Sequence, residues 1–302
     1  MNLTALALRS ATDANATASL TELHHRLAEF YAAEQTRGEY YELADNVNSD
    51  WVDHPYHRLI TSLIPIGSRV VDLGCGSGHA LRNLATRTCE YVGVDWSERQ
   101  MRDNQRKFGT SGLFVSASLY ETGLPDNSFD VAFSLYTLEH LVWPHRFLRE
   151  VHRIVRPDGL IILLCPHFRP FWRIPSLQYG LYSDSVASLR TKVREFRLFD
   201  AVVHLFLRNI YYPQIIRRDY DVLPFLINLN PTCLQGRYYP DNDAVYMTDR
   251  SEVVEELANL GGMDIPVPLP SGVARSAKRS TLFVVFKKSS TNTGVGAGVA
   301  TS

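Results

Sequence analysis

Two acidic residues and a run of glycines have the types and spacing of a nucleotide-binding site. A short apolar run at 70–73 contains Asp72, and three glycines follow it at alternate positions. Because glycine has no Cβ, a glycine turn between a strand and a helix lets the backbone approach a bound cofactor closely. A second apolar run, 91–94, ends at Asp95, where a carboxylate can accept hydrogen bonds from both hydroxyls of a ribose. These residues predict a cofactor at the carboxyl edge of a parallel sheet.

The spacing of the glycines distinguishes between kinds of nucleotide. A dinucleotide-binding loop has the pattern G-x-G-x-x-G. In Asp72-Leu-Gly-Cys-Gly-Ser-Gly78 the third glycine comes one residue earlier, and an acid precedes the first glycine by two positions. That acid repels a pyrophosphate and pairs with an ammonium group. The stretch resembles the signature of class I S-adenosylmethionine-dependent methyltransferases. A glycine turn of purely structural role in another α/β protein is the alternative.

The resemblance implies a fold and a set of cofactor contacts. The implied fold is α/β, with a Rossmann-like seven-stranded methyltransferase sheet and flanking helices. Asp72 would face the amino group of S-adenosylmethionine, and Asp95 would hold its ribose. The loop residues that would cradle the methionine part are Gly74, Cys75, Gly76 and Gly78.

Further cofactor contacts come from the same resemblance. Trp96 would pack on the adenosine and Met101 would touch the adenine, while the backbone of Ser134 and Leu135 would face the methionine amino group. Many relatives hold the adenine amino group with an acid after strand 3, but here the sequence reads Ala117-Ser118-Leu119. We expect the Ser118 hydroxyl, or the backbone of this stretch alone, to make that contact.

Two histidines are the candidates for a catalytic base. His140 lies in Leu135-Tyr-Thr-Leu-Glu-His-Leu141, which resembles the L-E-H segment of ubiquinone-biosynthesis-like methyltransferases, and His167 follows strand 5. Methyl transfer to oxygen benefits from a base that takes the hydroxyl proton, and histidine titrates near neutral pH. Tyr136 would line the methyl path and stabilise the cation through its ring. A histidine in this segment also occurs in relatives that methylate carbon, so carbon or nitrogen methylation stays open.

The hydrophobic periodicity predicts strands and helices in alternation. A last crossover helix at 249–260 begins more than eighty residues after strand 5, so a segment is inserted between them. The predicted strands are 70–73, 90–94, 113–117, 131–134, 160–165, 263–267 and 282–287. The other predicted helices of this region are 79–87, one capped by Ser97, and 144–155.

Composition and periodicity also divide the chain into parts. The inserted segment has 14 aromatic residues in 76, against 11% for the whole chain, which predicts a pocket for an apolar or ring-containing acceptor. Tyr40 or Tyr41 of the N-terminal part either reaches the cofactor carboxylate or packs in the core. The parts are a disordered N-terminus at 1–18, an N-terminal helical lid at 19–64, the S-adenosylmethionine-binding domain at 65–167 and 244–288, a helical substrate cap inserted after strand 5 at 168–243, and a disordered tail at 289–302.

The bulk composition predicts a cytoplasmic enzyme that acts on small molecules. The 31 basic and 32 acidic residues give a formal charge of −1, which offers no general attraction to nucleic acid or to an anionic membrane. The four cysteines form no C-x-x-C pair, so no metal site is expected. No stretch reaches the ~18 apolar residues of a membrane span. A homodimer is compatible with the sequence.

These observations predict transfer of a methyl group from S-adenosylmethionine to a small-molecule acceptor, with S-adenosylhomocysteine as the product. A hydroxyl of a secondary metabolite or a saccharide is the favoured acceptor. The alternatives are carbon or nitrogen methylation of a small molecule, and a cofactor-binding protein without turnover that partners an active enzyme. The presence of Asp72, the three glycines and Asp95 argues against the last alternative.

Overall fold

A seven-stranded sheet with helices on both faces forms the body of the protein. The computed structural model describes residues 13–37, 55–84, 89–168, 216–219, 223–229, 231–235, 243–269 and 281–290, and a few isolated positions between or beside these ranges. The helices are α1 (Asp13–Arg37), α2 (Pro55–Leu63), α3 (His79–Leu84), α4 (Glu98–Phe108), α5 (Pro144–Ile154) and α6 (Arg250–Leu260). The strands are β1 (Arg69–Leu73), β2 (Glu90–Asp95), β3 (Leu113–Ser116), β4 (Phe129–Leu135), β5 (Val155–Pro166), β6 (Ile216–Asp219), β7 (Leu223–Asn228), β8 (Gly262–Asp264) and β9 (Thr281–Lys288).

The strand order of the sheet is β3-β2-β1-β4-β5-β9-β8. The first five strands are parallel, whereas β9 runs antiparallel to β5 and β8 antiparallel to β9. The predicted Rossmann-like seven-stranded α/β fold is therefore confirmed. Because β1 is paired with β2 on one side and with β4 on the other, the chain leaves the carboxyl ends of β1 and β4 in opposite directions. A ligand crevice opens at such a switch point.

Alternate residues of the central strands pack against helices on opposite faces of the sheet. Val71 belongs to the core on the face covered by α1, α5 and α6, whereas Val70 belongs to the core on the face covered by α2 and α3. Strands covered on both faces read as continuous apolar runs. None of the helices in the described ranges is long and apolar enough to cross a membrane.

Several element boundaries differ from the sequence-based predictions. α1 begins at Asp13, inside the segment 1–18 that was expected to be disordered, because the alanine-rich stretch there favours a helix. β5 begins at Val155 rather than at 160, and its pairing with β4 shifts register after Phe129. Residues 156–159, which lie between the predicted helix 144–155 and the predicted strand 160–165, form an irregularity within β5, in which Asp158 has a φ of 63°. The predicted strand over 263–267 is shorter and ends at Asp264.

The described part of the inserted segment contains β-structure. β6 and β7 form an antiparallel hairpin that the predicted helical cap over 168–243 did not include, and Thr232–Gln235 of the same segment forms a 3-10 helix. The β7 sequence, Leu-Pro-Phe-Leu-Ile-Asn, includes a proline that a helix interior excludes and bulky residues that suit a strand. β7 also pairs with the chain that leaves the insertion, since the amide of Asn228 donates to the carbonyl of Val245 at 2.7 Å. Several predictions fall on residues outside the described part of the chain. These are the predictions for most of the rest of the cap, for Tyr40 and Tyr41, and for both disordered tails except residues 13–18 and 289–290.

Candidate active site

A cavity of about 550 Å³ opens at the carboxyl ends of β1 to β4. This volume lies within the roughly 300–1,000 Å³ that is usual for small-molecule sites. The glycine loop and the residues that follow β2, β3 and β4 line it, and side chains of α1 and α2 line it from the N-terminal part of the chain. The cavity therefore occupies the crevice that the strand order creates.

The glycine loop needs its glycines for two different reasons. Gly74 has a φ of 81° and its amide donates to the carbonyl of Val94 at 2.8 Å, which fixes the loop against β2. A Cβ added to Gly74 would lie 2.2 Å from Oγ1 of Thr137. Gly76 has a φ of 49° with nothing within 4 Å of the position of a Cβ, and it lines the cavity. The loop thus presents bare backbone to a ligand at Gly76 and packs tightly against the segment after β4 at Gly74.

Asp95 is held by backbone amides at the end of β2. The amide of Gly76 donates to Oδ2 at 3.1 Å, and the amide of Ser97 donates to Oδ1 at 3.1 Å. Burial raises the pKa of the Asp95 carboxyl, and these amides oppose that rise. Ser97 also accepts from the amide of Gln100 at 3.3 Å, which confirms the predicted cap of α4. The carboxylate therefore lies fixed in the cavity wall, with a geometry suited to receiving two hydroxyl donors.

Asp72 is almost completely buried at the end of β1 and also lines the cavity. The hydroxyl of Tyr91, on β2, donates to its Oδ2 at 2.7 Å. Burial raises the pKa of Asp72 to about 7; the hydrogen bond from Tyr91 opposes the rise and the nearby Asp95 adds to it. A buried carboxyl with such a pKa favours a cation, because an ammonium group would stabilise its ionised form.

The residues after β2 and β3 form the side of the cavity that was predicted to receive adenine. Trp96 is 39% exposed, which leaves ring surface accessible. Ser118 and Leu119 line the cavity, and Oγ of Ser118 accepts from the amide of Tyr120 at 3.2 Å. A hydroxyl oxygen has two lone pairs, so this turn leaves the serine able to make one further contact.

Most of the predicted site residues line the cavity, including Asp72, Asp95, Trp96 and His140. Tyr136 lines it with a φ of 54°, a conformation that is strained for a bulky side chain and recurs at functional sites. Its amide donates to the carbonyl of Leu164 at 2.7 Å, which holds the backbone in place. The remaining predicted residues that line the cavity are Gly74, Cys75, Gly76, Ser118, Leu119 and Leu135.

Three predicted cofactor contacts are not at the cavity wall. Met101 is buried, with its sulfur 3.6 Å from Sγ of Cys75, so it packs behind the glycine loop. Ser134 donates its hydroxyl to the carbonyl of Leu73 at 2.7 Å. Gly78 donates its amide to the carbonyl of Cys75 at 2.9 Å, and a Cβ there would meet the ring of Phe108 at 2.7 Å. These residues shape the loop and the sheet edge.

His167 is not among the described residues that line the cavity, and its role as a base stays a prediction. β5 continues to Pro166, and the chain beyond it is tied to the segment that precedes α6. Phe168 donates its amide to the carbonyl of Thr248 at 3.1 Å, and the Thr248 hydroxyl donates to the carbonyl of Pro166. This attachment holds His167 beside β5, one strand farther from β1 than the end of β4.

His140 contacts residues from two distant parts of the chain. Nδ1 of its ring lies 3.2 Å from Oδ1 of Asp243, and Oδ2 of Asp243 accepts a hydrogen bond from the hydroxyl of Tyr31 at 2.6 Å. Nε2 lies 3.7 Å from Oε1 of the buried Glu139. Sequence reasoning missed Asp243 and Tyr31, because 212 residues separate them and no local motif marks either one.

A second polar group at the cavity comes from α2 and α3. Nδ2 of Asn83 lies 3.4 Å from Nδ1 of His57, and both side chains line the cavity near His79. Among the described residues, no three His, Cys, Asp or Glu side chains are grouped in a way that could hold a metal ion. The polar chemistry of the described cavity wall is therefore that of carboxylates, imidazoles, hydroxyls, side-chain amides and backbone groups.

Comparison with known proteins indicates a methyltransferase domain in the same part of the chain. Residues 71–163 match a family model described as a methyltransferase domain. The chain is 34% identical over 127 residues to phthiotriol/phenolphthiotriol dimycocerosates methyltransferase 1 of Mycobacterium ulcerans, a match that covers 40% of this chain and 45% of that protein. It is 32% identical over 112 residues to 27-O-demethylrifamycin SV methyltransferase of Amycolatopsis mediterranei, covering 34% of this chain and 41% of that protein. The chain thus spans about half the length, or less, of these relatives.

A solved structure shares the fold at low sequence identity. It is 1,6-didemethyltoxoflavin-N1-methyltransferase of Burkholderia thailandensis, whose crystal structure holds 1,6-didemethyltoxoflavin and S-adenosylhomocysteine. The TM-score is 0.53 at 15% identity, over 88% of this chain and 90% of that one. Residues 71–163 therefore match a methyltransferase domain, and the chain shares its fold with a solved methyltransferase.

Proposed function

We propose that this protein transfers a methyl group from S-adenosylmethionine to a hydroxyl of a small, neutral acceptor. The observation that carries the proposal is the position of His140, which lines the same cavity as Asp72 and Asp95. A cavity that combines a cofactor site with a histidine suits transfer to an oxygen that must lose its proton. Transfer to carbon or nitrogen is the alternative, and it would not require His140 as a base.

The residues present fit S-adenosylmethionine. Asp72 would hold the amino group, and Asp95 would accept hydrogen bonds from the ribose hydroxyls. Gly76 leaves open space where another residue would place a Cβ. The Trp96 ring and the Leu119 side of the cavity would contact the adenine. The two carboxylates, of which Asp72 is buried and Asp95 partly buried, also favour a cofactor with positive charges over one that carries a pyrophosphate.

The acceptor would lie against α1 and the segment after β4. Leu27, Tyr31, Tyr120 and Val142 line this side with apolar and ring surface. Burial lowers the pKa of His24, which also lines the cavity, so its ring adds a neutral surface near neutral pH. No lysine or arginine is present among the described residues of the cavity wall. These features favour an uncharged acceptor with an apolar or aromatic body over a phosphorylated or carboxylated one.

The chain's chemical task is then to align the acceptor, exclude water and take one proton. S-adenosylmethionine, when bound, supplies a methyl group on a positively charged sulfur, which becomes a neutral thioether once the carbon is bonded to the acceptor oxygen. His140 would accept the proton that the hydroxyl releases and pass it to solvent after product release. The relative from Amycolatopsis mediterranei, named for 27-O-demethylrifamycin, is consistent with an oxygen acceptor.

Replacement of His140 tests the reaction type. We expect the full chain to release S-adenosylhomocysteine when supplied with S-adenosylmethionine and a panel of neutral phenols, catechols and secondary alcohols. His140→Gln should lower kcat about 10²-fold or more, because general base catalysis contributes about that much. The exposed His25, on α1, offers a matched control, and His25→Gln should keep the wild-type kcat. Turnover on carbon or nitrogen acceptors, with kcat unchanged in His140→Gln, would contradict oxygen methylation.

The contact between Gly74 and Thr137 predicts a steric effect on cofactor binding. Gly74→Ala and Gly67→Ala place a Cβ on backbones of nearly equal φ, 81° and 79°, so both variants carry a similar conformational strain. Only at Gly74 would the new Cβ collide with Thr137, whereas Gly67 has nothing within 4 Å. We expect Gly74→Ala to weaken S-adenosylhomocysteine binding at least about tenfold by calorimetry. Equal affinities of the two variants would show that the close approach has no bearing on the site.

The pKa of Asp72 predicts a pH dependence of cofactor binding. Because that pKa is raised to about 7, the carboxyl is mostly protonated at pH 6 and ionised at pH 8. The ammonium group of the cofactor favours the ionised form, so affinity for S-adenosylhomocysteine should rise about tenfold between these values. The unliganded protein should lose stability as pH rises from about 4 towards 7, because the folded state favours the protonated carboxyl.

Asp72→Asn provides the comparison for that pH dependence. The variant should bind S-adenosylhomocysteine weakly and with little pH dependence over the same range. The stability of Asp72→Asn should also not fall as pH rises from about 4 towards 7. Thermal unfolding at several pH values measures this. A wild-type affinity that stays constant with pH, or the same slope in Asp72→Asn, would show that another group governs binding.

A further inference from the structure

The chain that leaves the inserted segment returns to the cavity at a fixed position. Residues 243–249 are all buried, and the carbonyl of Glu139 accepts the amides of Val245 at 2.7 Å and Tyr246 at 2.9 Å. On the other side, the carbonyl of Val245 accepts the amide of Asn228 of β7. This segment is therefore fixed between the hairpin of the insertion and the turn that contains His140.

The attachment places the carboxyl of Asp243 beside the imidazole of His140. The Asp243 side chain is 2% exposed and that of His140 is 18% exposed. The two carboxylate oxygens contact different groups: Oδ1 lies 3.2 Å from Nδ1 of His140, and Oδ2 accepts the hydroxyl of Tyr31 at 2.6 Å. Nδ1 of His140 is itself buried, so the ring meets the carboxylate away from solvent, at ion-pair distance and without the geometry of a hydrogen bond.

We propose that Asp243 and Tyr31 are positioning residues that make His140 the base, with Asp243 fixing the orientation and tautomer of its ring and Tyr31 fixing the carboxylate of Asp243. The kinetic part of this inference rests on the proposed function, whereas the arrangement of protons on the ring can be tested without turnover. No feature of the sequence joins these three residues. They come from α1, from the turn after β4 and from the end of the insertion.

The chemistry of a neutral imidazole explains the role of Asp243. A carboxylate only accepts, so it favours the tautomer with the proton on Nδ1 and leaves the lone pair on Nε2 available for a proton from the acceptor hydroxyl. Once Nε2 takes that proton, the ring is a cation, and the buried carboxylate 3.2 Å from Nδ1 stabilises it. No bond to the ring other than N–H forms or breaks, and the proton later leaves to solvent.

Tyr31 explains why one carboxylate oxygen faces the ring. By donating to Oδ2, its hydroxyl restricts rotation of the carboxylate and leaves Oδ1 towards His140. Tyr31 also lines the cavity, and its ring lies 5.8 Å from that of Trp96. The proposed arrangement of His140 therefore depends on α1, because α1 supplies the Tyr31 hydroxyl that holds Asp243.

Glu139 is the competing carboxylate. It is fully buried, and its Oε1 lies 3.7 Å from Nε2 of His140, beyond normal hydrogen-bond distance. The shorter contact is made by Asp243. Asp243→Asn and Glu139→Gln therefore remove a charge from opposite sides of the same ring and serve as matched variants.

Nitrogen-15 spectra of the histidine rings test the arrangement without any acceptor. At mildly alkaline pH, the His140 signals, assigned by their absence in His140→Gln, should show a proton on Nδ1. In Asp243→Asn, the donor from Tyr31 should draw the amide oxygen to its side and turn the amide NH₂ towards Nδ1, so the ring should change to the Nε2–H tautomer. Glu139→Gln should keep the wild-type tautomer. A wild-type ring protonated on Nε2, or a tautomer that follows Glu139 instead of Asp243, would overturn the proposal.

Kinetics with an acceptor found in the panel test the consequence for the base. Asp243→Asn should lower kcat about 10²–10⁴-fold, the usual contribution of general base catalysis, with little change in S-adenosylhomocysteine affinity. Tyr31→Phe should lower kcat about tenfold, because it removes one hydrogen bond to a charged group. Asp264→Asn removes a carboxylate that pairs with Arg250 away from the cavity and should leave kcat unchanged.

The outcomes separate this inference from the proposed function. A kcat in Asp243→Asn equal to that of the wild type, while His140→Gln is impaired, would show that His140 acts without Asp243 and would overturn the inference. An unimpaired His140→Gln would remove the base itself and the oxygen-methylation proposal with it. In that case the nitrogen-15 result still decides whether Asp243 fixes the ring.

Discussion

The parallel pairing of β1 with β2 on one side and β4 on the other is the constraint on which the rest of the structure depends. It places the carboxyl ends of three strands at one edge of the sheet, and the chain leaves β1 and β4 in opposite directions. The strand order alone therefore creates a crevice at this edge. Asp72 and Asp95 lie in that crevice because each ends a buried strand. His140 reaches it because the turn after β4 begins at the same edge.

The cost of this arrangement is electrostatic. The buried Asp72 lies close enough to the partly buried Asp95 that Asp95 contributes to raising its pKa, and the described cavity wall contains no lysine or arginine that would offset the two carboxyls. The hydroxyl of Tyr91 and the amides of Gly76 and Ser97 compensate only in part. A ligand that carries positive charge completes the compensation, which is a physical reason for a sulfonium and ammonium cofactor in place of a dinucleotide.

Local sequence was sufficient for the fold and for bringing several predicted site residues to one cavity. Asp72, Gly74, Gly76, Asp95 and Trp96 lie within one strand–loop–helix–strand unit, where spacing determines position. Met101 shows the limit of that reasoning, because helical spacing cannot tell which face of α4 meets the cavity and which supports the loop. The residues on either side of His167 show another limit, since Pro166 and Phe168 are held by hydrogen bonds with Thr248, far along the chain.

The proposed catalytic side could not be read from the sequence because it is assembled from distant segments. Tyr31 and Asp243 meet at His140 only through the packing of α1 and the attachment of residues 245–246 to Glu139. The hairpin of β6 and β7 was missed for a related reason, since short apolar runs suit helix and strand alike until pairing decides. Long-range packing, rather than a local sequence pattern, thus determines which residues form the proposed acceptor side of the cavity.

The measurement that tests the central claim most directly is calorimetric titration of the full chain with S-adenosylmethionine, S-adenosylhomocysteine and NADH. The account predicts micromolar binding of the first two and none of NADH, with both affinities reduced in Asp95→Ala and kept in Asp103→Ala, which removes an exposed acid on α4. Failure of the folded protein to bind either sulfur ligand, or binding that ignores Asp95, would contradict the assignment of this cavity as the cofactor site.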